Sequence, residues 1–252
     1  MSHARPALEA VVFDAGGTLV RLDFEWMAEA LTRIGVNTEA STLRRAEVEG
    51  RRRYDASQRA GRHDASPLGG PGDVRAYLGG MLHHAHVPAE KIDGAVDAFL
   101  AHEKANGLWA RPMEGAREAI DATSELGLRR AVVSNSDGRA EWHLRHSGVL
   151  DGIEFVVDSH LVGLEKPDPA IFRLALDRLK IPAERALYVG DIRSVDERGS
   201  RAAGMHFVLI DPSGDYAGAT PSIRAIADLP SWITTHFEVP RAAQAGREAI
   251  GG

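Results

Sequence analysis

Apolar and polar positions follow two rhythms along this chain. From residue 112 onward, short apolar runs alternate with stretches of helical periodicity. The runs are "RAVVSN" (130–135), "IEFVVD" (153–158), "ALYVGD" (186–191) and "HFVLI" (206–210). Between them lie helix-like segments over 114–126, near 139–146, over "PAIFRLALDRLK" (169–180) and over "VDERGSRAAGM" (195–205). In the third of these, Phe172, Leu176 and Leu179 recur at spacings of four and three, which places them on one helical face. Gly127 is a stop signal for the first. A further apolar run at 8–13 stands apart near the start. Short strands alternating with helices predict an α/β fold built on a doubly wound parallel sheet.

The region between these parts reads differently. Phe24, Met27, Leu31 and Ile34 have helical spacing, and further helices are expected over 40–54, 73–84 and 88–105. The Gly-, Pro- and Asp-rich "GRHDASPLGGPGD" (61–73) is a loop by composition. Nothing here reads as a strand. The expected organisation is therefore a core from residues 1–20 and 112–240, interrupted by a helical lobe over 21–111, with 241–252 as a frayed tail.

Ligands of open parallel sheets bind beyond the carboxyl ends of the strands. Those ends carry Asp14; Ser134 and Asn135; and Asp191, with Asp196 five residues on; Lys166 stands in a loop between strand and helix. Singly, each residue has a plainer role as a turn, a cap or a surface lysine. Together, three carboxylates on one rim would repel each other unless a cation sat among them, and oxygen ligands of this kind suit Mg²⁺. Ser194 with Glu197 reads as a capping box that starts a helix and turns Asp196 back toward Asp191. In "EKPDP", Pro167 biases Lys166 to extended backbone, Asp168 is the expected N-cap and Pro169 the first helical residue.

Composition narrows the field. The 252 residues carry a net charge of −6 with the signs interspersed, which gives no electrostatic case for nucleic acid. Cysteine is absent, so thiolate metal sites and cysteine nucleophiles are excluded. No apolar run has the length of a membrane span or a signal peptide, and a cytoplasmic location is the expectation.

The stretches "FDAGGTL", "VVSNS", "GLEKPDP" and "YVGDIRSVDERGSRAAGM" occur in that order. They resemble the four motifs of the haloacid-dehalogenase-like hydrolase superfamily, over most of 8–20 and 112–235. The helical insertion resembles the cap of the phosphoglycolate-phosphatase-like subfamily. The resemblance implies a phosphatase of small phosphorylated metabolites. Asp14 would be the nucleophile that forms an aspartyl-phosphate. Asp14, the carbonyl of Gly16 and Asp191 would hold Mg²⁺, with Asp196 ligating through water or steadying the shell. Ser134 and Lys166 would hold the phosphoryl oxygens, with Asn135 supporting them; Gly17 would help bind the phosphate, and Thr18 would fix the loop.

One departure stands out. Phosphatases of this superfamily usually carry a second aspartate two residues after the nucleophile, which protonates the leaving oxygen and later deprotonates water. Here that place is Gly16. General acid catalysis is typically a factor of about 10² to 10⁴, so three outcomes stay open. A residue of the helical lobe could substitute, His63, Asp64, His83, His84 and His86 being available. The substrate could have a good leaving group, or the protein could turn over slowly and mainly bind phosphorylated ligands. A carbon–halogen hydrolase is a less favoured alternative, since its counterpart of the acidic fourth motif is less acidic. A phosphonate-cleaving enzyme would need a lysine from the lobe, where Lys91 and Lys104 lack a telling context. The lobe also carries Arg44, Arg45, Arg51, Arg52, Arg53, Arg59 and Arg62. A solvated basic face is the expectation for these, and a clamp for an anionic substrate the sharper alternative.

Overall fold

The computed structural model describes residues 4–59, 74–214, 216, 218 and 220–240. The loop expected over 61–73 and the tail over 241–252 lie outside them. In chain order the elements are β1 (Ala10–Phe13), β2 (Val20–Arg21), α1 (Phe24–Arg33), α2 (Ala40–Arg59), α3 (Val74–His84) and α4 (Ala89–Asn106). Then come β3 (Arg111–Pro112), α5 (Ala116–Glu125), β4 (Arg129–Ser134), α6 (Ala140–His146), β5 (Val156–Asp158), α7 (Ser159–Val162) and α8 (Pro169–Leu179). The chain closes with β6 (Ala186–Gly190), α9 (Arg198–Ala202), β7 (His206–Ile210), β8 (Ser222–Ile223) and α10 (Leu229–His236).

Six strands form one parallel sheet in the order β5-β4-β1-β6-β7-β8. Its strands are buried on both faces, which explains their near-continuous apolar sequence. Alternate residues point to opposite sides. Val11, Phe13, Val132, Leu187 and Val189 join one core with Ile120 of α5 and Ile233 of α10. Ala10, Val12, Ala131, Val133 and Tyr188 join the other with Ile171, Phe172 and Leu176 of α8. The chain leaves β1 toward β4 on one side and leaves β6 toward β7 on the other. The crevice between the ends of β1 and β6 is thus the topological switch point, where such sheets bind ligands.

Helices α1 to α4 pack on one another around a third core that includes Met27, Leu31, Leu43, Leu78, Met81 and Phe99. Residues 22–110 carry no described strand, as their periodicity suggested, but the edges of the region do. Val20 pairs with Pro112 and Arg21 with Arg111 in a two-stranded antiparallel ribbon. This clasp brings the chain entering the helices beside the chain leaving them. Two residues per strand are too few for an alternation to show in sequence.

The expected capping box at Ser194 is not formed. Residues Arg193–Glu197 form a π-helical turn whose N-cap is Ile192, and the buried Ser194 hydroxyl has no partner among the described residues. Glu197 bonds instead to Arg193, Arg201 and Thr220. The cap at Asp168 forms as read, its carboxylate accepting from the Ala170 amide at 2.9 Å with Pro169 opening α8. The Lys166–Pro167 peptide is cis.

Candidate active site

Asp14 follows the last residue of central β1, and Asp191 the last residue of adjacent β6. Asp196 comes from the π-helical turn and folds back over the same rim. One carboxylate oxygen from each of these three acids lies within 4.8 Å of the others, and all three residues are buried. Asp196 reaches this place because Gly190 lacks a side chain: a Cβ there would stand 2.5 Å from Asp196 Oδ2. That oxygen accepts from the amides of Asp191 and Ile192 at 3.1 and 3.0 Å.

Lys166 stands among the acids. Its ammonium donates to Asp14 Oδ1 at 2.7 Å, to Asp196 Oδ1 at 2.8 Å and to the Tyr188 hydroxyl at 3.0 Å. Tyr188 in turn donates to the Val133 carbonyl at 2.8 Å. This role of Tyr188 is invisible in "ALYVGD", where tyrosine reads as one more core residue. Burial opposes the charge on Lys166, yet the two carboxylates outweigh it and hold the ammonium above its usual range. Asn135, just past β4, fixes the backbone of this lysine, accepting from its amide at 2.8 Å and donating to its carbonyl at 2.9 Å. Ser134 is buried at the end of β4, the strand beside β1.

The acids are strained electrostatically. Burial pushes Asp14 up to about 6; the Lys166 ammonium pulls down and the Asp196 carboxylate adds to the rise. Burial raises Asp191 to about 7, against the pull of Arg51 and with the push of Asp14 and Asp196. Asp191 Oδ1 is buried without a hydrogen-bond partner among the described residues. A buried unpaired carboxylate oxygen is costly, and a cation removes that cost. The donor set fits a hard divalent ion such as Mg²⁺, which binds through few carboxylates and keeps several waters.

The loop after β1 explains its glycines. Gly17 has φ +73°, and a Cβ on it would stand 2.0 Å from Asp191 Oδ2. Gly16 faces Trp109, whose Nε1 would be 3.3 Å from a Cβ at that position. Thr18 is fully buried, and its hydroxyl has no partner among the described residues.

The helices contribute a group that the sequence reading set aside. Glu47, Arg51 and Asp55, four residues apart on α2, are all buried. Arg51 is ion-paired with Asp191 and lies 3.7 Å from Glu47. Glu47 accepts from Tyr77 of α3. Asp55 accepts from the Ser194 amide at 2.6 Å and from the Tyr216 hydroxyl at 3.0 Å. The expected solvated basic face holds for Arg44 and Arg45, which are exposed, and fails for Arg51. Residue 62 and the side chains of residues 52, 53 and 59 lie outside the described part. The missed signal was the stripe of alternating charge, acid–base–acid at helical spacing, within an otherwise basic helix. Among the candidate substitute acids, His83 and His86 are exposed and His63 and Asp64 lie outside the described residues. Lys91 is bonded to the carbonyls of Ile34 and Gly35 at 2.8 and 3.3 Å.

The family model for haloacid dehalogenase-like hydrolases matches residues 8–204. The chain belongs to that family. Haloacid dehalogenase-like hydrolase domain-containing protein 3 of Mus musculus is 40% identical over 116 residues, which is 46% of this chain and 44% of the relative. The glyceraldehyde 3-phosphate phosphatase of Pyrococcus abyssi is 29% identical over 142 residues, 54% of this chain and 60% of the relative. The chain thus spans less than two thirds of the length of these relatives. Among solved structures, the HAD-hydrolase YfnB of Bacillus subtilis, bound to magnesium, superimposes with a TM-score of 0.62 at 17% identity, covering 90% of this chain and 99% of that one. The 2-haloacid dehalogenase of Pseudomonas syringae gives 0.54 at 24%, with coverage of 90% and 99%. At these identities both show the shared HAD fold. No described helix is long and apolar enough to cross a membrane.

Proposed function

We propose that this HAD-family chain is a Mg²⁺-dependent phosphatase of small phosphorylated metabolites that works through an aspartyl-phosphate on Asp14. The observation that carries the reading is the acid–ammonium cluster at the switch point. Asp14, Asp191 and Asp196 converge there, Lys166 bridges two of them, and Asp191 Oδ1 has no partner among the described residues. The relatives named as phosphatases, among them the Pyrococcus abyssi protein, support the same class.

Asp14, the Gly16 carbonyl and Asp191 would hold the ion. Both oxygens of Asp196 are already engaged by Lys166 and two backbone amides, which suits it to steadying the site. When bound, Mg²⁺ would neutralise the phosphoryl charge and the acids' mutual repulsion.

The protein's own groups do the remaining work. An oxygen of Asp14 attacks phosphorus, and the bond from phosphorus to the leaving oxygen breaks. Water then attacks the phosphorylated aspartate, releasing phosphate and restoring the carboxylate. Lys166, held by the paired hydrogen bonds of Asn135, and Ser134 receive the phosphoryl oxygens. Positioning and charge neutralisation of this kind are most of what phosphoryl transfer requires. Helices α1–α4, within residues 21–111, serve as the cap over a core formed by 1–20 and 112–240, in the manner of the phosphoglycolate-phosphatase-like subfamily.

The test is hydrolysis of p-nitrophenyl phosphate with and without Mg²⁺, in the native protein and Asp14→Asn. Metal-dependent release that vanishes in the variant supports the reading. Halide release from 2-chloropropionate in EDTA would replace it with a dehalogenase. Silence in both assays, with phosphate analogues still bound, would replace it with a binding protein. A screen of phosphorylated metabolites then names the substrate.

A further inference from the structure

We propose that Trp109 is the specificity-determining residue of this site. Standing against Gly16, it denies the enzyme an acid at the leaving-group position and confines it to phosphoryl groups carried on weakly basic oxygens, as in acyl and aryl phosphates. The proposal rests on the phosphatase reading and deepens it.

The placement of Trp109 follows from the clasp between the two halves of the chain. Trp109 lies two residues before β3, and Gly16 four residues before β2. The strands are locked by Val20–Pro112 and Arg21–Arg111 pairing. The Asp23 amide donates to the Leu108 carbonyl at 2.9 Å, and the Met113 amide to the Leu19 carbonyl at 2.8 Å. Arg111 Nε adds a bond to Asp23 at 2.8 Å. The residues flanking Trp109 are thereby tied to the segment that carries Gly16. The indole is half-buried, packs against both the sheet core and the helical core, and lies 6.4 Å from the Tyr77 ring.

A Cβ at position 16 would stand 3.3 Å from Trp109 Nε1 and 3.4 Å from its Cδ1. A methyl group would already be tight, and a carboxylate has two further atoms' depth to place. Any carboxylate that did fit would face an indole N–H. That donor favours the charged form, so little of the group would stay protonated to serve as a general acid. The indole itself is a donor only and does not surrender its proton. It can meet negative charge with a hydrogen bond but cannot protonate an alkoxide. The pair Gly16–Trp109 therefore supplies no proton to the departing oxygen. A substrate that leaves as a carboxylate or phenolate needs none. One that leaves as an alkoxide does, and general acid catalysis of that step is typically a factor of about 10² to 10⁴.

The experiment uses the full chain with Mg²⁺ and measures kcat/KM for acetyl phosphate, a series of substituted phenyl phosphates and glycerol 3-phosphate. The expected result is a steep fall as the leaving group becomes more basic, with the alkyl ester at least about 10²-fold below the best aryl ester. Gly16→Asp alone should gain nothing on the alkyl ester, whereas Gly16→Asp with Trp109→Ala should raise it and flatten the series. Alkyl and aryl esters hydrolysed equally well by the native chain would overturn the proposal and leave the phosphatase standing. So would a gain of alkyl turnover by Gly16→Asp alone. If no ester or acyl phosphate in the set is hydrolysed, the phosphatase reading itself falls and takes this one with it. A merely structural role for Trp109 would change all rates together and leave the slope unmoved, so the slope of the Trp109→Phe variant separates the two. Removal of the N–H with the ring kept should steepen it.

Discussion

Arg51 of α2 and Asp191 at the end of β6 form a buried ion pair that joins the helical layer to the sheet. The arginine sits on one oxygen of the acid, whose other oxygen has no partner among the described residues. In the metal-free protein Arg51 is thus the cation that makes a buried carboxylate tolerable. A divalent ion at the proposed Asp191 site would meet a carboxylate already partly neutralised.

Removing that guanidinium should therefore weaken the metal-free protein and sharpen its appetite for metal. Breaking one side of a buried pair typically costs about 3–5 kcal/mol. Arg51→Ala is expected to lower the unfolding temperature at pH 7.5 in EDTA, and much of that loss should return with Mg²⁺. Titration calorimetry should show Mg²⁺ bound about tenfold more tightly by the variant, an order of 1.4 kcal/mol. Equal Mg²⁺ affinity in the two proteins would mean that Arg51 does not compete for Asp191.

The raised pKa values of Asp14 and Asp191 set a pH dependence of known sign. Both carboxyls ionise near pH 3.8 when the chain is unfolded and near 6 and 7 when it is folded. Between these limits the folded state holds more protons, so stability falls as pH rises through the window. Acids whose pKa is lowered by partners, such as Glu103, Asp137, Glu154 and Glu197, act in the opposite sense, and their contribution is complete above about pH 5. Metal-free protein is accordingly expected to lose stability from pH 5 to 7 in chemical denaturation, on the order of a few kcal/mol. Asp14→Asn should reduce the slope, and Mg²⁺, by favouring the ionised acids, should flatten it.

Asp14→Asn also separates catalysis from folding. The proposed nucleophile is lost, so phosphate release should fall by roughly 10⁴ or more. Yet the substitution removes a buried charge that repels Asp191 and Asp196, leaving Lys166 with Asp196 and Tyr188. The unfolding midpoint in EDTA at neutral pH should hold or rise. A variant that was inactive and also much less stable would show that Lys166 depends on Asp14 more than on Asp196.

The strand ends were legible because βα alternation is a strong periodic signal, and three apolar runs each closed on residues of evident chemistry: Asp14, Ser134 with Asn135, and Asp191. Asp196 was located correctly for a mistaken reason. A capping box was expected at Ser194, and a π-helical turn with Gly190 beneath it does the work. Arg51 was hidden among neighbours of the same type; only its spacing from Glu47 and Asp55 marks it. Trp109 gave no signal at all, since its meaning lies in contact with Gly16, some ninety residues away in the chain, through a two-residue ribbon. Local pattern reports which face of an element is buried. Long-range pairing of short strands leaves almost no trace in it.

The glycine of the nucleophile loop offers a test with an internal control. Gly17 has φ +73° and Gly163 φ +68°, so alanine at either position meets a left-handed backbone strain of about 1–2 kcal/mol. Their surroundings differ. A Cβ at Gly163 has nothing within 4 Å, whereas one at Gly17 would stand 2.0 Å from Asp191 Oδ2 and 3.1 Å from Arg51 Nη1. Relief of that overlap requires Asp191 to turn away, which breaks its pair with Arg51 and withdraws a carboxylate from the proposed metal site. Gly163→Ala should lower the unfolding temperature by several degrees, as such a strain does in a chain of this length, and leave the proposed phosphatase rate and Mg²⁺ affinity unchanged. Gly17→Ala should show a similar or larger loss of stability. In addition its Mg²⁺ binding should fall at least about tenfold and its turnover about a hundredfold, because only there does the added methyl reach the acids. Circular dichroism confirms that both variants are folded, calorimetry reads the metal, and equal Mg²⁺ affinities in the two would detach Gly17 from the geometry of Asp191.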